Sequence, residues 1–208
     1  MIPHSSRFVQ SLFPSITWNA PKGNVCLTFD DGPHPNATPA VLEILQSYGI
    51  KATFFFLGRN VSRYPDIARE AARLGHTIGN HSYDHSNLLF RSRQYVMDQI
   101  AESGKEIART TGANPVFFRP PYGYFRPALL PWLKSAGYQM VMWSLDSKDW
   151  QGRSSYDVSE TIIRKISPGS IILLHDNDST SQSIREILKR ALDSLLTEYQ
   201  FSPITHDR

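Results

Sequence analysis

Two adjacent aspartates stand where an apolar stretch of the sequence ends. Asp30 and Asp31 follow the run "VCLTF" and come directly before the chain breakers Gly32 and Pro33. Two carboxylates this close disfavour joint ionisation unless a cation or a strong hydrogen-bond donor relieves their repulsion. The pair therefore predicts a metal ion, an arginine, or both beside it.

A second pattern with metal-binding chemistry is "HSYDH", in which His81 and His85 are four residues apart. If this stretch forms a helical turn, both imidazoles lie on one face and can hold one metal ion. The spacing alone is weak evidence, since such pairs are more often surface or core residues. No glutamate follows His81, so the base of an H-E-x-x-H metalloprotease is missing. Asp31 is the candidate third ligand, which would leave coordination positions for water and substrate.

Further polar residues follow other apolar stretches that we interpret as strands. They are Arg119 and Tyr122, then Asp146, Asp149 and Trp150, and finally His175 and Asp176. In folds built from βα repeats, the loops after the carboxyl ends of the strands meet on one face. Five strand ends therefore predict a single polar site on one rim.

The elements that position these residues are short β-rich runs alternating with amphipathic stretches. We expect strands at "VCLTFDD", "ATFFFLG", "HTIGNH", "VFFRPP", "YQMVMWSL" and "SIILLHD". We expect helices at "PAVLEILQSYG", "YPDIAREAARLG", "SRQYVMDQIAESGKEIARTTG", "RPALLPWLKSAG", "SYDVSETIIRKI" and "SIREILKRALDSLLTEYQ", four of them ending in glycine. Six or seven βα units favour an α/β barrel, closed or nearly so. A doubly wound open sheet is the alternative, but no G-x-G-x-x-G follows the first strand.

Composition narrows the class of protein. The 208 residues are 40% apolar and 12% aromatic, which is ordinary for one globular domain. The net charge of +3 is spread along the chain and gives little reason to expect nucleic-acid binding. No apolar run approaches the roughly 20 residues of a membrane-spanning helix. The lone Cys26 excludes an internal disulfide and is expected in the core.

The N-terminal stretch lacks the apolar segment and small-residue cleavage site of a secretory signal, so from the sequence we expect either a cytoplasmic protein or one whose signal has been removed. We assign residues 1–22 to an N-terminal extension and residues 23–208 to one catalytic domain. We expect a monomer.

The chain resembles the polysaccharide deacetylases, also described as the nodulation-type chitooligosaccharide deacetylase homology domain or carbohydrate esterase family four. The likeness covers roughly residues 23 to 200 and rests on "TFDDGP", "HSYDH", "RPPYG", "DSKDW" and "LLHD" in the family's order and spacing. It implies a distorted (β/α) barrel with about seven repeats. It also implies one divalent metal, most often zinc, with cobalt, nickel or manganese as alternatives.

The resemblance assigns a role to each candidate residue. It implies that Asp31, His81 and His85 are the metal ligands. It implies that Asp30, held by Arg119, is the general base and that His175, oriented by Asp149, is the general acid. It also implies that the Tyr122 backbone N–H binds the oxyanion and that Trp150 and Leu173 form the pocket for the acetyl methyl. One departure from the family stands after His175, where a polar segment replaces the proline-led start of the last helix that many relatives show.

These roles agree with the chemistry of the residues. A metal would neutralise Asp31, while Asp30 stays ionised beside the metal and Arg119 and can take a proton from water. The metal would lower the pKa of its bound water towards about 7 and polarise the amide carbonyl. An amine is a poor leaving group, so His175 would protonate the nitrogen.

The expected function is removal of acetyl groups from N-acetylated sugars, as in chitin oligomers or peptidoglycan. One alternative is an O-acetyl esterase on xylan-type glycans, which differs only in the leaving group. A second is an inactive carbohydrate-binding homologue, although every ligand and base position is filled. A third, a metallophosphoesterase, would need ligands for two metals, and the sequence offers one convincing set.

Overall fold

The computed structural model of the protein describes residues 7–20 and 23–205. Its strands are β1 Cys26–Asp30, β2 Thr53–Phe56, β3 Thr77–Asn80, β4 Phe117–Phe118, β5 Gln139–Met140, β6 Leu145–Asp146 and β7 Ile171–His175. Its helices are α1 Arg7–Leu12, α2 Ala37–Ser47, α3 Gly58–Arg63, α4 Pro65–Arg73, α5 Arg93–Thr111, α6 Leu129–Ser135, α7 Ser155–Lys165 and α8 Ile184–Leu195. Two short 3-10 turns, Pro121–Gly123 and Asp149–Gln151, follow β4 and β6.

The strands form one parallel sheet in the order β5-β4-β3-β2-β1-β7-β6. Helices occupy most of the connections, so the predicted distorted (β/α) barrel with about seven repeats is confirmed. The first strand lies in the interior of the sheet, between β2 and β7, the last strand of the chain. All carboxyl ends therefore point to one rim, which is the geometry that the sequence predicts for the site.

One predicted strand, "YQMVMWSL", was wrong as a single element. The structure divides it into β5 and β6, which lie at opposite edges of the sheet. Between them, the carbonyls of Val141 and Met142 accept hydrogen bonds from the Arg119 side chain, and the Met142 amide donates to Thr17. These hydrogen bonds take the place of a regular strand ladder in the segment between β5 and β6. This segment crosses from one edge of the sheet to the other.

The alternation of side chains divides the core into two clusters. One cluster lies between the sheet and its helices and includes Phe29, Phe54 and Phe56. The other lies on the opposite face of the sheet and includes Cys26 and Phe55. The predicted strand at Phe54 to Phe56 and the predicted core position of Cys26 are confirmed, and all four residues are fully buried.

The six predicted helices are present, and the glycines expected to end four of them, Gly49, Gly75, Gly112 and Gly137, all have positive φ. Helices α1 and α3 were not predicted. No helix in the described part of the chain is long and apolar enough to cross a membrane.

The predicted N-terminal extension, residues 1–22, lies partly outside the described residues. Its described part contributes Ile16 and Trp18 to the second core cluster, and Thr17 pairs with Val141. The proposed boundary at residue 23 stays a prediction.

Candidate active site

The carboxyl ends of the central strands bring the predicted site residues together. Asp30 at the end of β1 is the register partner of His175 at the end of β7. His81 follows β3 and Arg119 follows β4, and the Arg119 amide donates to the carbonyl of Asn80. Because parallel strands in register end at the same level, residues far apart in sequence meet on one rim.

Asp31, His81 and His85 lie close enough to hold one metal ion. Their candidate ligand atoms are all within 4.8 Å of one another. The Asp31 Oδ1 atom lies 3.6 Å from His81 Nε2 and 3.2 Å from His85 Nε2. This Oδ1 atom is buried and has no hydrogen-bond partner among the described residues. A buried carboxylate oxygen without a partner is costly unless a cation or donor satisfies it.

The orientation of the two imidazoles also fits a metal. His81 Nδ1 lies 2.7 Å from the Arg119 carbonyl, which can only accept, so Nδ1 carries the proton and Nε2 presents its lone pair to Asp31 Oδ1. Burial and the neighbouring His81 lower the pKa of His85 to about 4, so its ring is neutral at pH 7. Two neutral imidazoles and one carboxylate are an ordinary donor set for zinc and similar divalent ions. The residues present therefore fit the metal that the resemblance implies.

The expectation that "HSYDH" forms a helical turn was wrong. After β3 the chain forms a loop, in which Ser82 has φ of 72° and His85 has φ of 66°. The loop is held by the Asn80 side chain, which accepts from the Ser82 amide, and by Gln99, which accepts from the amides of Tyr83 and Asp84. The two histidines converge because the loop bends back on itself.

Asp30 and Arg119 form a buried ion pair beside this cluster. Arg119 Nη1 donates to Asp30 Oδ1 at 2.8 Å and to the Thr28 hydroxyl at 2.7 Å. Arg119 is fully buried and Asp30 is 3% exposed. The other carboxylate oxygen, Oδ2, lies 3.8 Å from His81 Nε2. One oxygen of Asp30 is thus occupied by the arginine, and the other faces the candidate metal ligands.

Arg119 is fixed by more than its carboxylate. Its Nε and Nη2 atoms donate to the carbonyls of Val141 and Met142, and its guanidinium lies 4.2 Å from the centroid of the Phe55 ring. Each of these contacts satisfies a donor or covers a face of the buried cation. The position of the Asp30 carboxylate is therefore determined by a rigid partner.

His175 and Asp149 form a second pair on the same rim. His175 Nδ1 donates to Asp149 Oδ1 at 2.8 Å, and the His175 backbone amide donates to Asp149 Oδ2 at 2.7 Å. Burial opposes the charged imidazolium, but the hydrogen bond and charge of Asp149, together with Asp31 and Asp30, raise the pKa of His175 to about 9. The ring is therefore protonated at neutral pH and can donate a proton from Nε2.

The three predicted substrate contacts lie around this rim. The Tyr122 ring is exposed and its centroid lies 4.4 Å from that of His85. Trp150 is half exposed in the Asp149–Gln151 turn, which packs against β7. Leu173 is buried two residues before His175, on the same side of β7. Asp146 instead bonds to Lys148 and belongs to β6.

Several residues support the site through contacts that the sequence does not reveal. Asp176 is fully buried, accepts from the Gly32 amide at 3.0 Å and from the Thr38 hydroxyl at 2.5 Å, and so fixes the turn that follows Asp31. A β-carbon at Gly32 would overlap the Asp176 carboxylate, which explains the glycine. Asn177 donates to Asp31 Oδ2 at 2.8 Å, and Asn60 donates to the Asp31 carbonyl at 2.7 Å. Only the adjacency of Asp176 and Asn177 to His175 could have indicated them.

Backbone strain marks the same loops. The described non-glycine residues with positive φ are Asp31, Ser82, His85, Tyr122 and Lys148. Each is a candidate site residue or the immediate neighbour of one. Such conformations cost about 1–3 kcal/mol apiece and persist where surrounding contacts require them, most often at functional sites.

Comparison with known proteins agrees with this geometry. Residues 18–141 match the family model described as polysaccharide deacetylase. A chitooligosaccharide deacetylase of Azorhizobium caulinodans is 42% identical over 162 residues, covering 77% of this chain and 76% of that protein. A peptidoglycan-N-acetylglucosamine deacetylase of Bacillus cereus is 40% identical over 154 residues, which cover 74% of this chain but only 56% of that protein. A crystal structure of a peptidoglycan N-acetylglucosamine deacetylase superposes with a TM-score of 0.90 at 32% identity, covering 98% of this chain and all of that chain.

Proposed function

The chain belongs to the polysaccharide deacetylase family, and on this premise we propose that it is a metal-dependent hydrolase that removes acetyl groups from N-acetylated glycans and releases acetate. The observation that carries the proposal is the convergence of three ligand atoms, a buried Asp–Arg pair and an Asp–His pair on one rim of the sheet. The substrate is a chitin-like or peptidoglycan-type polymer or oligomer.

Asp31, His81 and His85 would hold the metal, most often zinc in this kind of donor set. Bound there, a divalent cation supplies electrophilic activation of the acetyl carbonyl and acidifies water at neutral pH. The remaining steps belong to side chains of this chain. Asn177 and Asn60 keep the Asp31 carboxylate and backbone in place.

Asp30 acts as the general base. Its Oδ1 atom is bonded to Arg119 and its Oδ2 atom faces the ligand cluster, so Oδ2 can take a proton from the attacking water. The fixed guanidinium holds the carboxylate in place and prevents it from rotating. Arg119 therefore acts through the base and is a positioning residue.

His175 acts as the general acid. It is protonated at neutral pH because Asp149 stabilises the imidazolium, and the bond at Nδ1 leaves the Nε2 proton to be transferred. This proton goes to the amine nitrogen as the C–N bond breaks, which makes the amine an acceptable leaving group. The register pairing of Asp30 with His175 on neighbouring strands supports their assignment as proton acceptor and proton donor.

Tyr122 and the residues behind it bind the acetyl group in this proposal. The Tyr122 amide donates to the oxygen that becomes negative in the tetrahedral transition state, an effect of about 10²–10³ in rate for one donor. Trp150 and Leu173 enclose the acetyl methyl group. Support for both assignments is their placement beside His85 and His175.

The decisive experiment is a panel of acetylated glycans scored for acetate with the metal-loaded protein. We expect Asp30→Asn to keep the metal and lose turnover, and His81→Ala to lose both. Matched amide and ester substrates distinguish the deacetylase from an O-acetyl esterase. Sugar binding without acetate from any substrate would instead identify an inactive carbohydrate-binding homologue, and two metal ions per chain would point to a phosphoesterase. Full turnover in Asp30→Asn would refute the assignment of the base.

A further inference from the structure

The start of helix α5 carries arginines whose charges are not matched by protein carboxylates. Arg93 begins this helix, Arg91 lies two residues before it, and both are exposed. Arg126, which precedes α6, donates from Nη2 to the Arg91 carbonyl at 2.9 Å. None of these three forms an ion pair within the described residues, whereas the exposed Arg73 and Arg109 each pair with a glutamate one turn away. Three neighbouring cations therefore lack a counter-charge from the part of the chain that the structure describes.

The guanidiniums of these arginines lie against aromatic rings. The central carbon atoms of the Arg126 and Arg93 guanidiniums lie 4.8 Å and 5.9 Å from the centroid of the Trp132 ring. That of Arg91 lies 5.1 Å from the centroid of the Tyr95 ring. An aromatic ring attracts a cation, but two cations on one ring repel each other. A bound anion would relieve this repulsion, so the cluster favours an anionic partner.

The segments that meet at this cluster contain no acidic residue. Neither aspartate nor glutamate occurs in residues 7–20, 85–97 or 113–145. The first of these segments reaches the cluster through Phe13, whose ring packs edge-on against Phe125 at a centroid distance of 5.3 Å. We call the surface formed by α1, residues 88–93 and residues 124–134 the basic face. Its charge is uncompensated by its own segments, although the net charge of the whole chain is only +3.

Large apolar side chains protrude from the basic face. Phe90 is 90% exposed, more than any other large apolar residue that the structure describes. The turn that carries it is fixed, because the Arg91 amide donates to the carbonyl of Leu88, which is buried in the second core cluster. On α1, Phe8 and Leu12 are 67% and 56% exposed and lie one turn apart. Exposed apolar side chains grouped in this way mark surfaces that contact another protein or a membrane.

We propose that the basic face binds the surface of a membrane that contains anionic lipids. The arginines contact lipid phosphates, and Phe90 enters the boundary between headgroups and acyl chains. Charge complementarity selects this partner, because a second copy docked symmetrically on the same face would place like charges against each other. A small soluble anion would match the arginines but would leave Phe90 in water. The inference goes beyond the proposed function and does not depend on it, since it concerns binding alone.

The basic face is connected to the candidate active site. Ser86 directly follows His85, and its hydroxyl accepts a hydrogen bond from the Tyr95 hydroxyl at 3.1 Å. Tyr95 is also the residue whose ring lies beside the Arg91 guanidinium. Binding through the basic face would therefore hold the candidate metal ligands close to the lipid surface.

The test measures binding of the full chain to lipid vesicles by sedimentation. We expect the wild type to bind vesicles that contain phosphatidylglycerol, to bind vesicles of phosphatidylcholine alone far less, and to bind more weakly as salt is added. Arg91→Gln/Arg93→Gln should lower the partition coefficient roughly 25-fold, because each arginine near an anionic membrane contributes a factor of about five. Arg73→Gln/Arg109→Gln is the control, since it removes the same charge and Arg109 lies roughly 24 Å from Arg93 along α5. This control should bind like the wild type.

A second variant distinguishes a membrane from a soluble anion. Phe90→Ser should weaken binding to the anionic vesicles roughly tenfold, because the ring no longer enters the lipid. Leu196→Ser, at a residue that is 38% exposed after α8, should leave binding unchanged. The proposal is overturned if the wild type does not prefer the anionic vesicles, or if either Phe90→Ser or Arg91→Gln/Arg93→Gln binds them like the wild type. Tighter binding of a single-stranded oligonucleotide than of the vesicles would also overturn it and would identify a nucleic acid as the partner.

Discussion

The pair formed by His175 and Asp149 allows a quantitative test of the general acid. Asp149 accepts two hydrogen bonds, one from His175 Nδ1 and one from the His175 amide. In Asp149→Asn the side chain has only one acceptor oxygen, so it can accept a hydrogen bond from only one of the two donors. Its amide NH₂ group, itself a donor, then faces the other donor. The replacement removes the charge that stabilises the imidazolium while the shape of the side chain is almost unchanged.

The size of the effect follows from the raised pKa of His175. The pKa of about 9 exceeds the ordinary value of 6.5, a difference worth ~3 kcal/mol. Without Asp149, burial opposes the charged form, and we expect the pKa of His175 to fall to about 6.5 or below. At pH 7.5 the protonated fraction would then drop from about 97% to about 10%, which predicts a roughly tenfold loss of turnover from protonation alone.

The assay is the pH profile of acetate release, with the pKa of His175 measured by imidazole NMR at the same metal loading. In the wild type, activity should fall as pH rises through about 9, because His175 loses its proton there. In Asp149→Asn this loss of activity should occur at lower pH. The difference in activity between the variant and the wild type should therefore become smaller below pH 6. Asp146→Asn is the control, because Asp146 bonds to Lys148 instead. An alkaline limb at the same pH in both proteins, or an unchanged His175 pKa, would refute the reasoning.

Three further outcomes follow from the structure. Gly32→Ala should lower the free energy of unfolding by about 2 kcal/mol or more in denaturant titrations, because the new methyl group overlaps the Asp176 carboxylate; an unchanged midpoint would contradict the described packing. Burial raises the pKa of the Cys26 thiol to about 11, so a thiol reagent should label it only after unfolding, and rapid labelling of the native protein would disprove this. A chelator should lower Tm in the wild type but not in His85→Ala, because a cation that binds only the folded ligand set stabilises that state; equal Tm shifts in both proteins would argue against the site.

Much of the site could be predicted from sequence because parallel strands carry it. Asp30 and His175 end apolar strands, and strands that alternate with helices place their carboxyl ends on one rim. The convergence of His81 and His85 with Asp31 followed from that rule together with the family motifs. The fold class followed from the same alternation.

The residues that sequence reasoning missed depend on contacts between distant segments. Asn60 lies in a six-residue helix without a long apolar period, and its bond to the Asp31 carbonyl has no local signal. Asp176 was expected on the rim, but its contacts could not be predicted because its partners Gly32 and Thr38 are far away in sequence.

Two predictions failed because backbone conformation overrode spacing. The i, i+4 separation of the histidines suggested a helical turn, but positive φ at Ser82 and His85 makes a loop. The apolar stretch between β5 and β6 contains no glycine or proline. Nothing in its sequence therefore indicates that the carbonyls of Val141 and Met142 accept hydrogen bonds from Arg119.

The pairing of the first strand with the last has a consequence for synthesis of the enzyme. Asp30, the proposed proton acceptor, is encoded near the start of the barrel and His175, the proposed proton donor, near its end, yet β1 and β7 are neighbours. A nascent chain on the ribosome carries Asp31, His81 and His85 early, but it lacks the proposed acid, His175, until β7 has been translated and has docked. Under the proposed mechanism, catalytic competence therefore arrives only with the final strand, which is followed directly by the Asp176 and Asn177 side chains that hold Asp31 and its turn.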